Sequence, residues 1–253
     1  MKYAMNFELE ICCFNFQSAL IAEQAGATRI ELCANPADGG TTPGYGMIKL
    51  VKEKIKIDVY PIIRPRGGDF LYDADDIVMM QTEILLCKEL GCEGVVIGLL
   101  KKDGTIDKER CKKLVELAYP MAVTFHRAFD RVINPLEALE DIIAIGCERI
   151  LTSGQRPTAI ESTQLLNELV RQADDRIIIM PGSGIRGANI VELAEKTGAN
   201  EFHSSARIDT ASGMEYINAG MSESLTSVMA DKTEIELMKS NLVSYFPRLR
   251  QAD

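Results

Sequence analysis

The sequence predicts an α/β chain folded as a closed (β/α)8 TIM barrel, on three observations. Eight short β-type apolar runs alternate with longer helical patterns. Four related segments led by glycine, GATRIEL, GCEGVVI, GCERILT and GANEFHS, each close a helical stretch and open a β-type run. The chain is 253 residues long and 46 % hydrophobic, enough for eight such units around a large core. An open, doubly wound sheet is the competing architecture. Against it, the turn after the first run reads CCFNFQS, without the Gly-rich dinucleotide fingerprint, so no nucleotide cofactor is expected.

The expected strands are Phe7–Cys12, Arg29–Cys33, Asp58–Arg64, Gly94–Gly98, Met121–His126, Arg149–Thr152, Arg176–Met180 and Glu201–Ser205. Helical patterns fill most of the gaps. Asn15–Gln24 opens on a plausible Asn cap, and Asp75–Leu90 carries Ile77, Met80, Ile84 and Leu85 near a 3.6-residue period. Asp107–Leu117, Pro135–Ile145, Thr158–Gln172 and Ala188–Lys196 follow, with Asn134-Pro135 reading as a cap and first helical residue. Gly26, Gly91, Gly146 and Gly198 sit where a left-handed residue must stop the helix and turn the chain into the next strand. No linker or composition break divides the chain, so one domain, residues 1–253, is expected. Its barrel would span about residues 7–207. Residues 208–253 would form a C-terminal extension, with Thr210–Met229 either mobile or used in association and Asp231–Tyr245 helical.

Composition removes several functions. The balance of 28 Lys+Arg against 37 Asp+Glu gives a net charge of −9, which disfavours nucleic acid and anionic membrane surfaces as partners. No apolar run is long enough to span a bilayer, and two glutamates interrupt the N-terminal apolar stretch, which does not read as a signal peptide. Seven dispersed cysteines without a Cys-x-x-Cys pair make neither a disulfide framework nor a structural zinc site. A soluble, reduced, cytoplasmic protein is expected. With no Trp and 6 % aromatics, a base- or sugar-stacking platform is not.

In a barrel of this kind the chemistry sits at the strand C-termini and the loops that follow. The first two strands both carry Glu-x-Cys. Period two puts Glu10 with Cys12, and Glu31 with Cys33, on the same faces. If those faces point inward, two carboxylates and two thiols meet. The acids are then either catalytic or structural acceptors for arginine, and the cysteines either soft-metal thiolates or ordinary core residues. Arg64 and Arg66 share a parity in IRPRGGDF. Arg64 is placed to neutralise Glu10 or Glu31 or to hold an anionic substrate. His126, Arg127 and Asp130 lie together at the end of the fifth strand in TFHRAFD, and His203 on the eighth; acid–base work is open to them. Strands six to eight end in small residues: Ser153-Gly154, Gly182-Ser183-Gly184 and Ser204-Ser205, with Arg207 just beyond. They read either as turn chemistry or as an anion-binding lip, built from exposed amides and the positive ends of following helices.

RIELC, GGTTP, IRPRGGDF-LY, TFHRAFD, LTSG and EFHSSAR, in this order from about Phe7 to Met214, resemble the CutC family of copper homeostasis proteins. The resemblance implies a (β/α)8 barrel, a cytoplasmic location, a homodimer or larger homo-oligomer, a role in copper homeostasis, and Cu(I) held by Cys12 and Cys33. The residues themselves keep a second reading open: a lyase, isomerase or hydrolase acting on a small phosphorylated or carboxylated molecule. There Glu10, Glu31 or His126 would move protons and Arg64 and Arg66 would hold charge. The partner is accordingly a copper ion or a small anion.

Overall fold

The computed structural model describes residues 7–249. Eight parallel strands run in sequence order around the barrel: β1 (Glu8–Cys13), β2 (Arg29–Leu32), β3 (Asp58–Pro61), β4 (Gly94–Ile97), β5 (Ala122–Phe125), β6 (Arg149–Thr152), β7 (Ile178–Pro181) and β8 (Glu201–Ser204). They form two four-stranded halves, β3-β2-β1-β8 and β4-β5-β6-β7. A parallel bridge between Ile62 and Val96 joins the halves on one side, and β7 lies beside β8 on the other.

Helices α1 (Phe16–Ala25), α2 (Tyr45–Lys54), α3 (Ala74–Glu89), α4 (Lys108–Ala118), α5 (Pro135–Ile145), α6 (Thr163–Ala173) and α7 (Ile190–Thr197) follow strands one to seven. Asn15 caps α1 by accepting from the Ser18 amide, and Asn134 caps α5 with Pro135 in its first turn. Gly26, Gly91, Gly146 and Gly198 all take positive φ at helix ends, the conformation that only glycine adopts without strain. The α2 segment carries Gly44 and Gly46 around its start, which hides its helical period in the sequence.

Beyond β8 the chain departs from the expected extension. Strands β9 (Arg207–Thr210) and β10 (Ser227–Ala230) pair as an antiparallel hairpin whose second strand packs on α1. The hairpin is anchored by Asn15, whose side-chain amide donates to the Val228 carbonyl at 2.8 Å. Helix α8 (Lys232–Leu249) then lies between α7 and α1 with Ile235, Met238 and Leu242 fully buried. Residues 232–249 therefore supply the eighth helix of the ring. The boundary expected at 208 marks only the start of an inserted hairpin.

The main apolar core lies between strands and helices, where Leu9, Ile11, Ile30, Leu32, Phe125 and Phe202 are sealed from solvent. The barrel interior is of a different kind. A small apolar cluster, Cys12, Cys33, Tyr60, Ile62 and Val96, shares it with charged side chains. Gly94 on β4 gives the Tyr60 ring its place, since a β-carbon at Gly94 would come within 2.3 Å of that ring. Gly94→Ala is expected to cost about 1–3 kcal/mol by overpacking. Urea denaturation against Gly46→Ala measures the difference, because a β-carbon at Gly46 meets nothing within 4 Å and neither glycine has a positive φ.

Candidate functional site at the barrel mouth

Two layers of polar side chains occupy the barrel interior. In the deeper one, Arg29 donates through Nε to Glu10 at 2.5 Å and through Nη2 to Glu201 at 2.7 Å. Arg149 reaches the same Glu201 oxygen at 3.0 Å. Both guanidiniums lie over the Tyr60 ring, 5.2 and 5.4 Å from its centroid. Burial opposes the charge on Glu10, but Arg29 and His203 outweigh it and hold the carboxyl down at about 2. Glu10 thus ends in a buried charge network and does not line the cavity above.

That cavity opens at the C-terminal ends of the strands and encloses about 350 Å³. Cys12, Glu31, Arg64, His126, Arg127, Ser183, Gly184, Ser204, Ser205, His203 and Arg207 from the sequence reading all line it. Its floor holds the one cluster of potential metal ligands among the described residues: Cys12, Glu31 and Cys33, whose donor atoms lie within 4.8 Å of one another. The two sulfurs are 3.5 Å apart. The hydrogen bond between the two thiols, against the cost of burial, pulls the Cys12 thiol down to about 6. Burial and the Cys12 charge push Cys33 and Glu31 up. His203 bridges the layers. Its Nδ1 is 2.7 Å from Glu10 and its Nε2 3.7 Å from Glu31. Burial disfavours its charge, but Cys12, Glu10 and Glu31 override this and raise it well above the ordinary histidine value.

His126 behaves in the opposite way. Burial, aided by Arg64, lowers it to about 3, so its ring is neutral. Its Nδ1 accepts from the Ala128 amide at 3.1 Å, capping the short 3-10 turn Arg127–Arg131. The ring proton therefore sits on Nε2. That atom is buried and meets no hydrogen-bond partner among the described residues.

Several expected roles do not survive the geometry. Arg64 neutralises neither Glu10 nor Glu31: it is spent on the carbonyls of Asp38, Gly40 and Gly68 and lies over Phe70, which in turn packs on His126 at 4.9 Å. Arg66 lies outside the cavity and pairs with Asp69 and Asp76. Asp130 is a structural acceptor, taking bonds from Thr152, Ser153, Gln155 and Arg127. Ser153 and Gly154 do not belong to an anion lip, because their amides are consumed by Asp130 and by the Thr152 hydroxyl. The Gly182 amide likewise donates to Thr152. No helix begins directly at the lip either. A hairpin follows β8, and α7 starts only at Ile190. What remains is the turn at Ser183 and Gly184, with φ of 76° and 72°, together with Ser205 and Arg207. Arg186, in the IRG turn after β7, joins them unforeseen.

The CutC family model matches residues 7–208. The chain is 48 % identical over 238 residues to a family protein CutC of Parabacteroides distasonis, covering 94 % of this chain and 98 % of the relative. It is 46 % identical over 218 residues to the human copper homeostasis protein cutC homolog, covering 86 % and 80 %. The crystal structure of a copper homeostasis protein CutC from Streptococcus agalactiae superposes with a TM-score of 0.76 at 32 % identity, over 79 % of this chain and 98 % of that one. A family model over residues 7–208 and relatives 46–48 % identical over most of both chains show that this chain belongs to the CutC family.

Proposed function

We propose that the chain acts in copper homeostasis by binding Cu(I) through Cys12 and Cys33, with Glu31 as the third donor. The observation that carries this is the cluster itself. Two sulfurs 3.5 Å apart and one carboxylate converge at the floor of a cavity lined by Cys12. Thiolate donors select soft Cu(I) over hard cations. The lowered Cys12 thiol supplies one anionic sulfur near neutrality, and Cys33 gives up its proton on binding. All seven cysteines are free and buried, which fits a reducing compartment such as the cytoplasm.

The experiment is a Cu(I) titration under reducing conditions with a competing chelator. One equivalent should bind with sub-micromolar affinity, and Cys12→Ser/Cys33→Ser should lose at least 100-fold. Cys111→Ser removes a buried thiol from between strands and helices and serves as the control. Equal affinity in the wild type and the Cys12→Ser/Cys33→Ser protein removes these sulfurs from copper binding.

A further inference from the structure

The upper wall of the cavity has no use in holding copper. Arg64, Arg186 and Arg207 all line it, and among the described residues none of the three has a carboxylate partner. Arg186 and Arg207 make only long contacts to carbonyls, at 3.3 Å to Arg207 and 3.4 Å to Pro36. A chain of net charge −9 thus concentrates unpaired cations at one mouth. Beside them, the amides of Ser183, Gly184 and Ser205 donate to no group among the described residues. Successive amides presented by a turn of positive φ form a concave donor array suited to an oxyanion. Arginine adds the planar fork that matches phosphate oxygens.

His126, which lines the same cavity, asks for something else. The Nε2–H of His126 is a buried donor without an acceptor. Such a group costs free energy unless a ligand meets it, and the partner it needs is an oxygen with a lone pair. The ring cannot swing away: Phe70 and Phe125 pack against it, and a β-carbon at Gly98 would come within 2.4 Å of it.

We infer that the mouth binds a small phosphorylated hydroxy- or oxo-compound. Its phosphate lies against Arg186, Arg207 and the amides of Ser183, Gly184 and Ser205, and a neutral oxygen of the same molecule accepts from His126 Nε2. The cavity of about 350 Å³ falls in the range of small-ligand sites. The site shares the mouth with the thiol cluster but uses different residues, so it stands independently of copper binding.

Isothermal titration with inorganic phosphate and with glycerol 3-phosphate as probes tests both halves. Both probes should bind the wild-type protein, glycerol 3-phosphate at least tenfold more tightly. Arg186→Ala/Arg207→Ala should weaken both by tenfold or more, while retaining Cu(I) affinity. His126→Asn keeps an acceptor for the Ala128 amide but withdraws the ring donor. It should erase the advantage of glycerol 3-phosphate and leave phosphate affinity within twofold. Cys12→Ser/Cys33→Ser should bind both probes as the wild type does, which separates this site from the copper reading. Absence of binding of either probe at 10 mM, or unchanged affinity in the arginine double variant, overturns the phosphate site. Equal affinity of the two probes for the wild type overturns the role of His126. Circular dichroism on each variant confirms that it folds. If His126→Asn does not, His126→Ser, whose hydroxyl oxygen can accept from the Ala128 amide but does not reach the place of Nε2, replaces it.

Discussion

Arg29→Met is expected to lower folding stability by about 3–5 kcal/mol, the range for breaking a buried ion pair from one side. Arg29 is almost sealed from solvent and holds Glu10 at 2.5 Å and Glu201 at 2.7 Å. Without it, Glu10 keeps only His203, and Glu201 only Arg149. Two carboxylates would then be buried with half their compensation, and the Tyr60 ring would lose one of its two cationic faces. A surface pair calibrates the effect. Arg176 grips Glu140 with two nitrogens at 2.7 and 2.8 Å, but both side chains are nearly half exposed. Arg176→Met should cost far less, because water and salt screen an exposed pair. Urea denaturation of the two variants gives the comparison, and a loss below 1 kcal/mol for Arg29→Met would show that the interior charges are relaxed or hydrated. The double variant Arg29→Met/Glu10→Gln, which removes one stranded charge and leaves Glu201 to Arg149, should recover part of the loss.

The same residues explain what could be read from the sequence and what could not. Strand parity put Glu10 with Cys12 and Glu31 with Cys33 on inward faces; Glu31, Cys12 and Cys33 do cluster, while Glu10 joins the deeper charge network. Arg64 was one charge open to Glu10 or Glu31, whereas Glu10 is held by Arg29 from the neighbouring strand. Yet the signal was present in the glycine-led repeat. Arg29, Gly94, Arg149 and Glu201 all stand three residues after the helix-ending glycine, so each enters the barrel at the start of its strand. Three of those positions form the ion network and the fourth leaves room for Tyr60. Arg64 was out of reach of such reasoning, since its partners are loop carbonyls brought together only by tertiary structure. The lip was partly legible. Small residues marked the loops, but only the fold shows which amides are already spent and that Arg186 turns back over the mouth. The last helix was legible as a helix, whereas its place in the ring depends on where the hairpin before it ends.

Asp130→Asn separates a catalytic acid from a structural one and is expected to cost about 3 kcal/mol of stability. The Asp130 side chain is nearly buried, and five donors converge on it: Thr152 Oγ1 at 2.5 Å, Ser153 Oγ at 2.9 Å, the amides of Ser153 and Gln155 at 3.0 and 3.2 Å, and Arg127 Nε at 2.7 Å. A carboxylate offers two oxygens and about four acceptor sites, which this arrangement fills. Asparagine replaces one oxygen with an NH2 group, which faces donors and satisfies none of them. Hydrogen bonds to a charged group contribute about 1.5–3 kcal/mol each, and orphaned buried donors add to the loss. The 3-10 turn Arg127–Arg131 and the loop after β6 are tied together through this one side chain, so both should show faster amide exchange in the variant. Inorganic phosphate affinity should stay within twofold, because Asp130 does not line the cavity that carries Arg186 and Arg207. Stability within 0.5 kcal/mol of the wild type, together with altered ligand binding, would return Asp130 to the chemistry of the mouth.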